Sequence, residues 1–286
     1  LGVDIDEPAV RAGPVLVKSV LEVTADEILA ALGGPPDVFL SDMAPRTTGD
    51  PSGDHYIQIE LATRAFELAT ATALAARGLK AATIRTGVGW NVKCWRGGKP
   101  DGEPWLLLHG LGATASTYLP LLPQLQPDCS LLVPELSTLG GTSGPEPALA
   151  IPQATRALAE LIEQQFPGRP VTVCGISLGG WIAVRLALAR PDLVARLLLV
   201  VPGGYREQDW ERIGRMVRVE TYRDSAAIWQ ALFARPPLLL RLGRPVLYLA
   251  YRSSAVRAAL ATLREEDAFG DAELAGARER DRQDPP

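Results

Sequence analysis

A serine between two glycines stands where a strand pattern changes into a helix pattern. Ser177 follows the apolar, β-branched run 171–176, and an apolar helix is predicted to begin at Leu178. Gly175 and Gly179 lie two residues before and after the serine, where a sharp strand-to-helix turn leaves no room for side chains. The N-terminal amides of such a helix point to where negative charge develops during acyl transfer. Ser177 is therefore predicted to be a nucleophile.

The elements around this turn alternate between strands and helices, as a parallel sheet requires. An apolar strand pattern at 104–108 ends in His109 and Gly110, and a loop of small residues follows. Further strands are predicted at 129–135 and at 194–201, the latter as another buried strand, with helices between the strands. This context favours a catalytic turn over the alternative, an ordinary serine in a glycine-rich turn.

From about residue 82 to residue 276 the chain resembles the α/β-hydrolase superfamily, in its esterase, lipase and C–C bond hydrolase branch. The resemblance implies an α/β fold with a mostly parallel sheet and Ser177 as the nucleophile. It also implies an oxyanion hole formed by the backbone N–H groups of Leu111 and Leu178. Neither a metal nor a cofactor is expected for this chemistry.

The same resemblance suggests roles for residues around the predicted nucleophile. His109 and Gly110 would form the loop beside the oxyanion site, with His109 in a structural role. The arginine-rich, apolar segment at about 205–264 would be a helical lid, which either packs on the core or lines an apolar acyl pocket. Glu135, at a strand end, either shapes a loop, as an aspartate often does in this branch, or is a solvated carboxylate.

A serine nucleophile needs a base, normally a histidine that a carboxylate orients. The sequence contains two histidines, His55 and His109, and both precede Ser177, whereas the family has the order serine, acid, histidine. The tail 277–286 holds no aliphatic residue larger than alanine, so it cannot form a buried parallel strand. We expect the acid and histidine strands to be missing, the chain to be truncated, and its hydrolase activity to be impaired.

The first 80 residues carry a different pattern. Strands are predicted at 1–6 and 15–20, followed by a helix with a capping box made by Thr24 and Glu27. The string Ser-Asp-Met-Ala-Pro at 41–45 comes next, before a long helix that ends near residue 77. We therefore divide the chain into a segment 1–80 and a hydrolase-like domain 81–286.

The segment 1–80 resembles the ribosomal-RNA ribose 2′-O-methyltransferase (FtsJ-like) family through this string, which implies part of a Rossmann-like fold. The resemblance places Asp42 in the set that acts on the ribose hydroxyl of the RNA, and Asp4 on the ribose of S-adenosylmethionine. No glycine-rich turn precedes Asp4 in the sequence, and no catalytic lysine precedes Asp42. We therefore expect Asp42 to be a strand-end carboxylate without partners, and no S-adenosylmethionine to bind.

Composition narrows the classes of partner and the cellular compartment that we expect for this chain. The net charge of −4 and the pI near 5.4 make nucleic acid an unlikely partner. Three widely spaced cysteines without a metal-ligand pattern favour the cytoplasm, and no apolar run is long enough to span a membrane. Three hypotheses remain: a hydrolase for a small-molecule acyl substrate, an S-adenosylmethionine-dependent methyltransferase lineage, and a non-catalytic fusion product. The sequence gives no indication of the oligomeric state.

Overall fold

The computed structural model describes residues 2–4, 15–36, 39, 50–136, 141–145, 150–232 and 244–275. The strands in these ranges are β1 (Gly2–Asp4), β2 (Val15–Val17), β3 (Lys80–Arg85), β4 (Asn91–Gly98), β5 (Glu103–Leu108), β6 (Cys129–Pro134), β7 (Val171–Ile176) and β8 (Val194–Val200). The helices are α1 (Ala25–Leu32), α2 (Pro51–Ala76), α3 (Leu122–Leu125), α4 (Ile151–Gln165), α5 (Leu178–Ala189), α6 (Trp210–Val217), α7 (Ser225–Leu232), α8 (Arg244–Arg252) and α9 (Ser254–Thr262).

Six of these strands form the main sheet, in the order β3-β4-β6-β5-β7-β8. The pairs β3/β4 and β4/β6 are antiparallel, and the other three pairs are parallel. The predicted α/β fold with a mostly parallel sheet is confirmed. Because β5, β7 and β8 are parallel neighbours, their carboxyl ends meet at one edge, where a ligand site is expected.

Alternating side chains divide the core between the two faces of the sheet, as the two-residue period of a strand requires. Leu106 and Leu108 of β5 pack with α4 and α5 in one buried cluster. Leu107, between them, belongs to a second cluster that includes Leu74 of α2 and Tyr118. Both faces of the central strands are therefore covered, as in other α/β proteins.

Strand β8 corrects the prediction of another buried strand. Leu197 and Leu199 pack against the core, but Leu198 is 40% exposed and Val200 is 47% exposed. Among the described residues β8 pairs only with β7, so it forms the edge of the sheet. An apolar run is compatible with both positions, because its sequence does not tell how many neighbours a strand has.

The N-terminal strands β1 and β2 form a separate parallel pair. The predicted capping box on α1 is confirmed: Thr24 Oγ1 accepts from the Glu27 N–H at 3.3 Å, and Glu27 Oε2 accepts from the Thr24 N–H at 2.8 Å. Val23, Ile28 and Leu68 form the small cluster that packs α1 on α2. This region thus has its own apolar contacts, although few of them.

Helix α2 contributes to both regions. Leu68 lies in the small N-terminal cluster, whereas Leu74 lies in the cluster on one face of the main sheet. The division at residue 80 stays a prediction. Asp42 and the tail 277–286 lie outside the described residues, as do the side chains of Asp4 and His55.

The segment predicted as a lid, 205–264, contains helices α6 to α9 in its described part. Residues 233–243 of this segment are outside the described ranges. The buried side chains of Val219, Ile228, Tyr251 and Val256 form one cluster, which we name the lid cluster. None of the helices in the described ranges is long and apolar enough to cross a membrane.

Candidate active site

Ser177 stands in the turn that joins β7 to α5. Its φ of 52° and ψ of −116° lie in a region that side-chain-bearing residues rarely adopt. Val201 is the other non-glycine residue with positive φ in the described ranges. Such strain persists only where the surrounding structure imposes it, and it is concentrated at functional sites. The predicted strand-to-helix turn is therefore present, with the serine half-buried.

The two glycines that flank this turn are required by close backbone contacts. A Cβ atom on Gly175 would lie 2.5 Å from the carbonyl oxygen of Gly179. A Cβ atom on Gly179 would collide with the carbonyl oxygens of Leu108 and His109. Backbone atoms cannot move away as the end of a side chain can, so both positions exclude any other residue. The glycines thereby let the end of β5 approach the start of α5.

The end of β8 holds the turn in place from the other side. The Ser177 N–H donates to the Val200 carbonyl at 3.1 Å, and the Ser177 carbonyl accepts from the Gly203 N–H at 2.9 Å. Between these two contacts lies Val201, with a φ of 39°. Two backbone hydrogen bonds therefore fix the strained serine against the neighbouring strand.

The loop after β5 approaches the serine closely at Gly110. A Cβ atom on Gly110 would lie 3.3 Å from Ser177 Cβ and 3.9 Å from Ser177 Oγ. The next residue along this loop is Leu111, whose N–H is one predicted oxyanion donor. Leu178, which carries the other donor, is the first residue of α5, so its N–H has no acceptor within the helix. The structure brings the two donor-bearing segments to the same serine.

His109 is fully buried, and its two ring nitrogens contact backbone groups of two different loops. Its Nε2 accepts from the Leu136 N–H at 3.0 Å, which assigns the proton to Nδ1, 2.9 Å from the Gly110 carbonyl oxygen. That carbonyl also accepts from the Ala113 N–H at 3.2 Å. The Gly110 carbonyl and the Leu111 N–H belong to one rigid peptide unit. The hydrogen bond from His109 to this carbonyl therefore orients the Leu111 N–H. The arrangement supports the structural role expected for His109.

Glu135 follows β6 and is only 2% exposed. Its Oε1 accepts from Trp95 Nε1 at 3.0 Å, and its Oε2 accepts from the Ala115 N–H at 3.2 Å and lies 3.3 Å from His109 Nε2. The structure thus favours the loop-shaping alternative over a solvated carboxylate. Sequence reasoning missed Trp95 as a partner, because Trp95 lies on β4, 40 positions before Glu135.

The lid cluster packs against the loop after β5 through the side chain of Leu111. This contact supports the alternative in which the lid packs on the rest of the domain.

Two cysteines have surroundings that disfavour the reactive thiolate. Burial raises the pKa of the Cys94 thiol to about 11 and also raises the pKa of the Cys174 thiol. Within the described ranges, no group of three His, Cys, Asp or Glu side chains could hold a metal ion.

Comparison with known proteins gives matches to two family models along the chain. Residues 105–285 match the family model described as "Alpha/beta hydrolase family", and residues 2–85 match that described as "FtsJ-like methyltransferase". Both resemblances seen in the sequence are thereby confirmed. The hydrolase match continues past residue 276, where the predicted resemblance ends.

Curated relatives match only part of this region. A poly(3-hydroxyalkanoate) depolymerase of Ectopseudomonas oleovorans is 30% identical over 117 residues, which are 41% of this chain and 38% of the relative. A pimeloyl-acyl-carrier-protein methyl ester esterase of Aromatoleum aromaticum is 36% identical over 95 residues, which are 33% of this chain and 35% of the relative. The chain therefore spans little more than a third of these relatives.

Solved structures of α/β hydrolases share the fold. A lipase described as putative, from Acinetobacter baumannii AYE, superposes with a TM-score of 0.60 at 19% identity, over 74% of each chain. Naproxen esterase from Bacillus subtilis superposes with a TM-score of 0.59 at 15% identity, over 82% of this chain and 79% of the esterase. At these identities the similarity establishes the fold alone.

Proposed function

Because the chain belongs to the alpha/beta hydrolase family, we propose that it is a serine hydrolase for a carboxylic ester or a similar small acyl substrate. Ser177 is the nucleophile in this proposal. One observation carries it: Ser177 has a φ of 52° in a turn whose flanking glycines, Gly175 and Gly179, have no space for a side chain. A strained serine held at the carboxyl edge of a parallel sheet is the arrangement that acyl transfer requires.

In the proposed reaction, Ser177 Oγ forms a bond to the acyl carbon, and the electron pair of the carbonyl double bond moves to its oxygen. The N–H groups of Leu111 and Leu178 stabilise this oxyanion. The proton of the serine hydroxyl passes to a base. The carbonyl then re-forms, the C–O bond breaks with its electrons on the leaving oxygen, and the base returns the proton to this oxygen to give the alcohol. Water repeats the sequence on the acyl-serine and releases the acid.

We propose that this chain does not supply the base. Both histidines precede Ser177, and the ring nitrogens of His109 are hydrogen-bonded to backbone groups of Leu136 and Gly110. Hydrolases that lose one triad member keep only about 10³ to 10⁴-fold acceleration over water, which comes from binding and the oxyanion hole. We therefore propose that this chain hydrolyses esters poorly.

The relatives' names include an esterase, a lipase and a depolymerase, which agrees with hydrolysis of a carboxylic ester. Three free, buried cysteines support our proposal that the protein functions in a reducing compartment, the cytoplasm.

Steady-state hydrolysis of p-nitrophenyl butyrate tests the proposal. Wild type is compared with Ser177→Ala and with Ser254→Ala, a control at an exposed serine that begins α9. We expect the wild-type rate to lie within about tenfold of the Ser177→Ala rate, because triad members act as a unit. A wild-type rate close to that of an intact relative, lost in Ser177→Ala alone, would show that another residue supplies the base.

The second candidate is the S-adenosylmethionine-dependent methyltransferase lineage, which the family match over residues 2–85 favours. We propose that this segment does not bind the cofactor, because Ser19 stands where the FtsJ-like family commonly has an aspartate that contacts the adenine. Calorimetric titration with S-adenosylmethionine should give no binding heat. A dissociation constant in the low micromolar range would instead favour this candidate over the non-catalytic fusion product.

A further inference from the structure

Tyr251 on lid helix α8 is directed at the loop that carries the predicted oxyanion donor. Its hydroxyl donates to the Leu111 carbonyl oxygen at 3.1 Å, across 140 positions of sequence. The residue is only 8% exposed, and its ring lies 3.1 Å from where a Cβ atom on Gly112 would be. A buried hydroxyl with a single well-placed acceptor holds that acceptor in one orientation.

The proton of this hydrogen bond remains on Tyr251 near neutral pH. Burial raises the pKa of the Tyr251 phenol to about 12, because removal from water disfavours the phenolate. Tyr251 therefore stays a donor near neutral pH. The Leu111 carbonyl therefore accepts from a hydroxyl that keeps its proton during turnover.

Leu111 is thus held by the lid at two of its three contact groups. Its side chain packs against the lid cluster, and its carbonyl accepts from Tyr251. The third group, the N–H, belongs to the peptide unit between Gly110 and Leu111, whose carbonyl accepts from His109 and Ala113. The Leu111 carbonyl belongs to the next peptide unit, so His109 fixes the unit before the Leu111 Cα and Tyr251 fixes the unit after it.

We propose that Tyr251 is a positioning residue of the oxyanion hole, through which the lid sets the direction of the Leu111 N–H. This inference rests on the proposed function, because it assigns Tyr251 a role in the site of Ser177. It adds a second role to the lid: besides its apolar contacts, it completes the geometry on which transition-state stabilisation depends.

Binding of butylboronic acid tests this role without the need for turnover. Ser177 Oγ donates an electron pair to boron, the hydroxyl proton passes to solvent, and the resulting tetrahedral boronate carries the negative charge that the oxyanion hole stabilises. Its dissociation constant is measured by ¹¹B NMR, together with the amide signal of Leu111 in [¹⁵N]leucine-labelled protein. Wild type, Tyr251→Phe, Tyr248→Phe and Ser177→Ala are compared.

We expect Tyr251→Phe to weaken boronate binding by about tenfold and to shift the Leu111 amide signal, because the ring stays and only the hydroxyl is lost. Tyr248→Phe is the matched control, because it removes a hydroxyl from the same helix, and that hydroxyl accepts from Arg252. This control should leave both measurements unchanged. Ser177→Ala should abolish the tetrahedral boron signal.

The outcomes separate the two proposals. If wild type binds boronate through Ser177 but Tyr251→Phe leaves both the affinity and the Leu111 signal unchanged, the positioning role is wrong and the proposed function stands. A lower melting temperature in Tyr251→Phe with unchanged boronate affinity likewise reduces Tyr251 to a packing residue. If wild type forms no Ser177-dependent boronate, both proposals are overturned.

Discussion

The hydrolase-like and methyltransferase-like regions of this chain differ in how completely they assemble their candidate chemistry. In the first, Ser177, Gly110 and Leu178 come together through backbone contacts between neighbouring parallel strands and α5. In the second, the described residues are a pair of three-residue strands and two helices joined by a small apolar cluster. A site forms where several elements are packed tightly enough to impose its geometry.

The two regions also differ in the kind of contact that stabilises them and in how far those contacts are buried. Around Ser177 the close contacts are between backbone atoms, and a buried carboxylate, Glu135, holds the neighbouring loop. In the N-terminal region, the capping box is exposed, and the ion pair between Lys18 and Glu27 is partly exposed. We therefore expect substitutions to have large effects in the first region and small ones in the second.

The largest effect is expected from Gly179→Ala. The new methyl group would collide with the Leu108 and His109 carbonyl oxygens, so β5 or α5 must move. We expect the free energy of unfolding, measured by urea titration, to fall by about 3 kcal/mol. The matched control is Gly34→Ala in the N-terminal region, where a Cβ atom would meet nothing within 4 Å.

For Gly34→Ala we expect a change within about 1 kcal/mol of wild type, because its backbone suits an ordinary residue. Equal effects of the two substitutions would contradict the difference between the regions. A mild effect of Gly179→Ala alone would show that the turn at Ser177 can relax.

A smaller, opposite effect is expected from Ser177→Gly. Glycine adopts a φ of 52° without the penalty that serine incurs, so the free energy of unfolding should rise by about 1 kcal/mol. Ser254→Gly, at the start of α9, should instead lower it by up to about 1 kcal/mol, because glycine destabilises a helix. A fall in stability for Ser177→Gly would mean that the turn is not strained, which the same unfolding measurement decides.

The smallest effect on stability is expected from the partly exposed ion pair of Lys18 and Glu27 in the N-terminal region. The hydrogen bond from Lys18, followed by that from the Thr24 backbone, lowers the pKa of Glu27 from 4.5 to about 2. A lowered folded-state pKa stabilises the protein above the unfolded-state value, and this contribution disappears as the pH falls towards 2. Because water reaches both side chains of this partly exposed pair, the contribution is small and is screened by salt.

Glu27→Gln tests this dependence, because glutamine also suits a capping box. Its difference from wild type in the free energy of unfolding should be largest above pH 4.5 and should vanish near pH 2. Lys18→Met should reproduce most of this difference and add little in the double variant. A difference that does not change with pH would assign the stabilisation to packing.

The sequence predicted the parts of the site that depend on local geometry. The glycines at 175 and 179 indicated the turn because steric exclusion acts over a few residues, and the capping box of Thr24 and Glu27 followed from helix geometry. What the sequence could not predict depends on distant partners. The burial of Glu135 requires Trp95, the contact of Tyr251 requires Leu111, and the exposure of β8 depends on which strands pair with it.

Acyl trapping on Ser177 tests the central claim most directly. Protein incubated with p-nitrophenyl butyrate is quenched, and its intact mass and peptide map are measured for wild type and Ser177→Ala. A good leaving group permits slow acylation, whereas deacylation needs a base to activate water, so an acyl-enzyme should accumulate. We predict a single butyryl group on Ser177, absent from Ser177→Ala. A butyryl group on another residue, or none in wild type, would contradict the account.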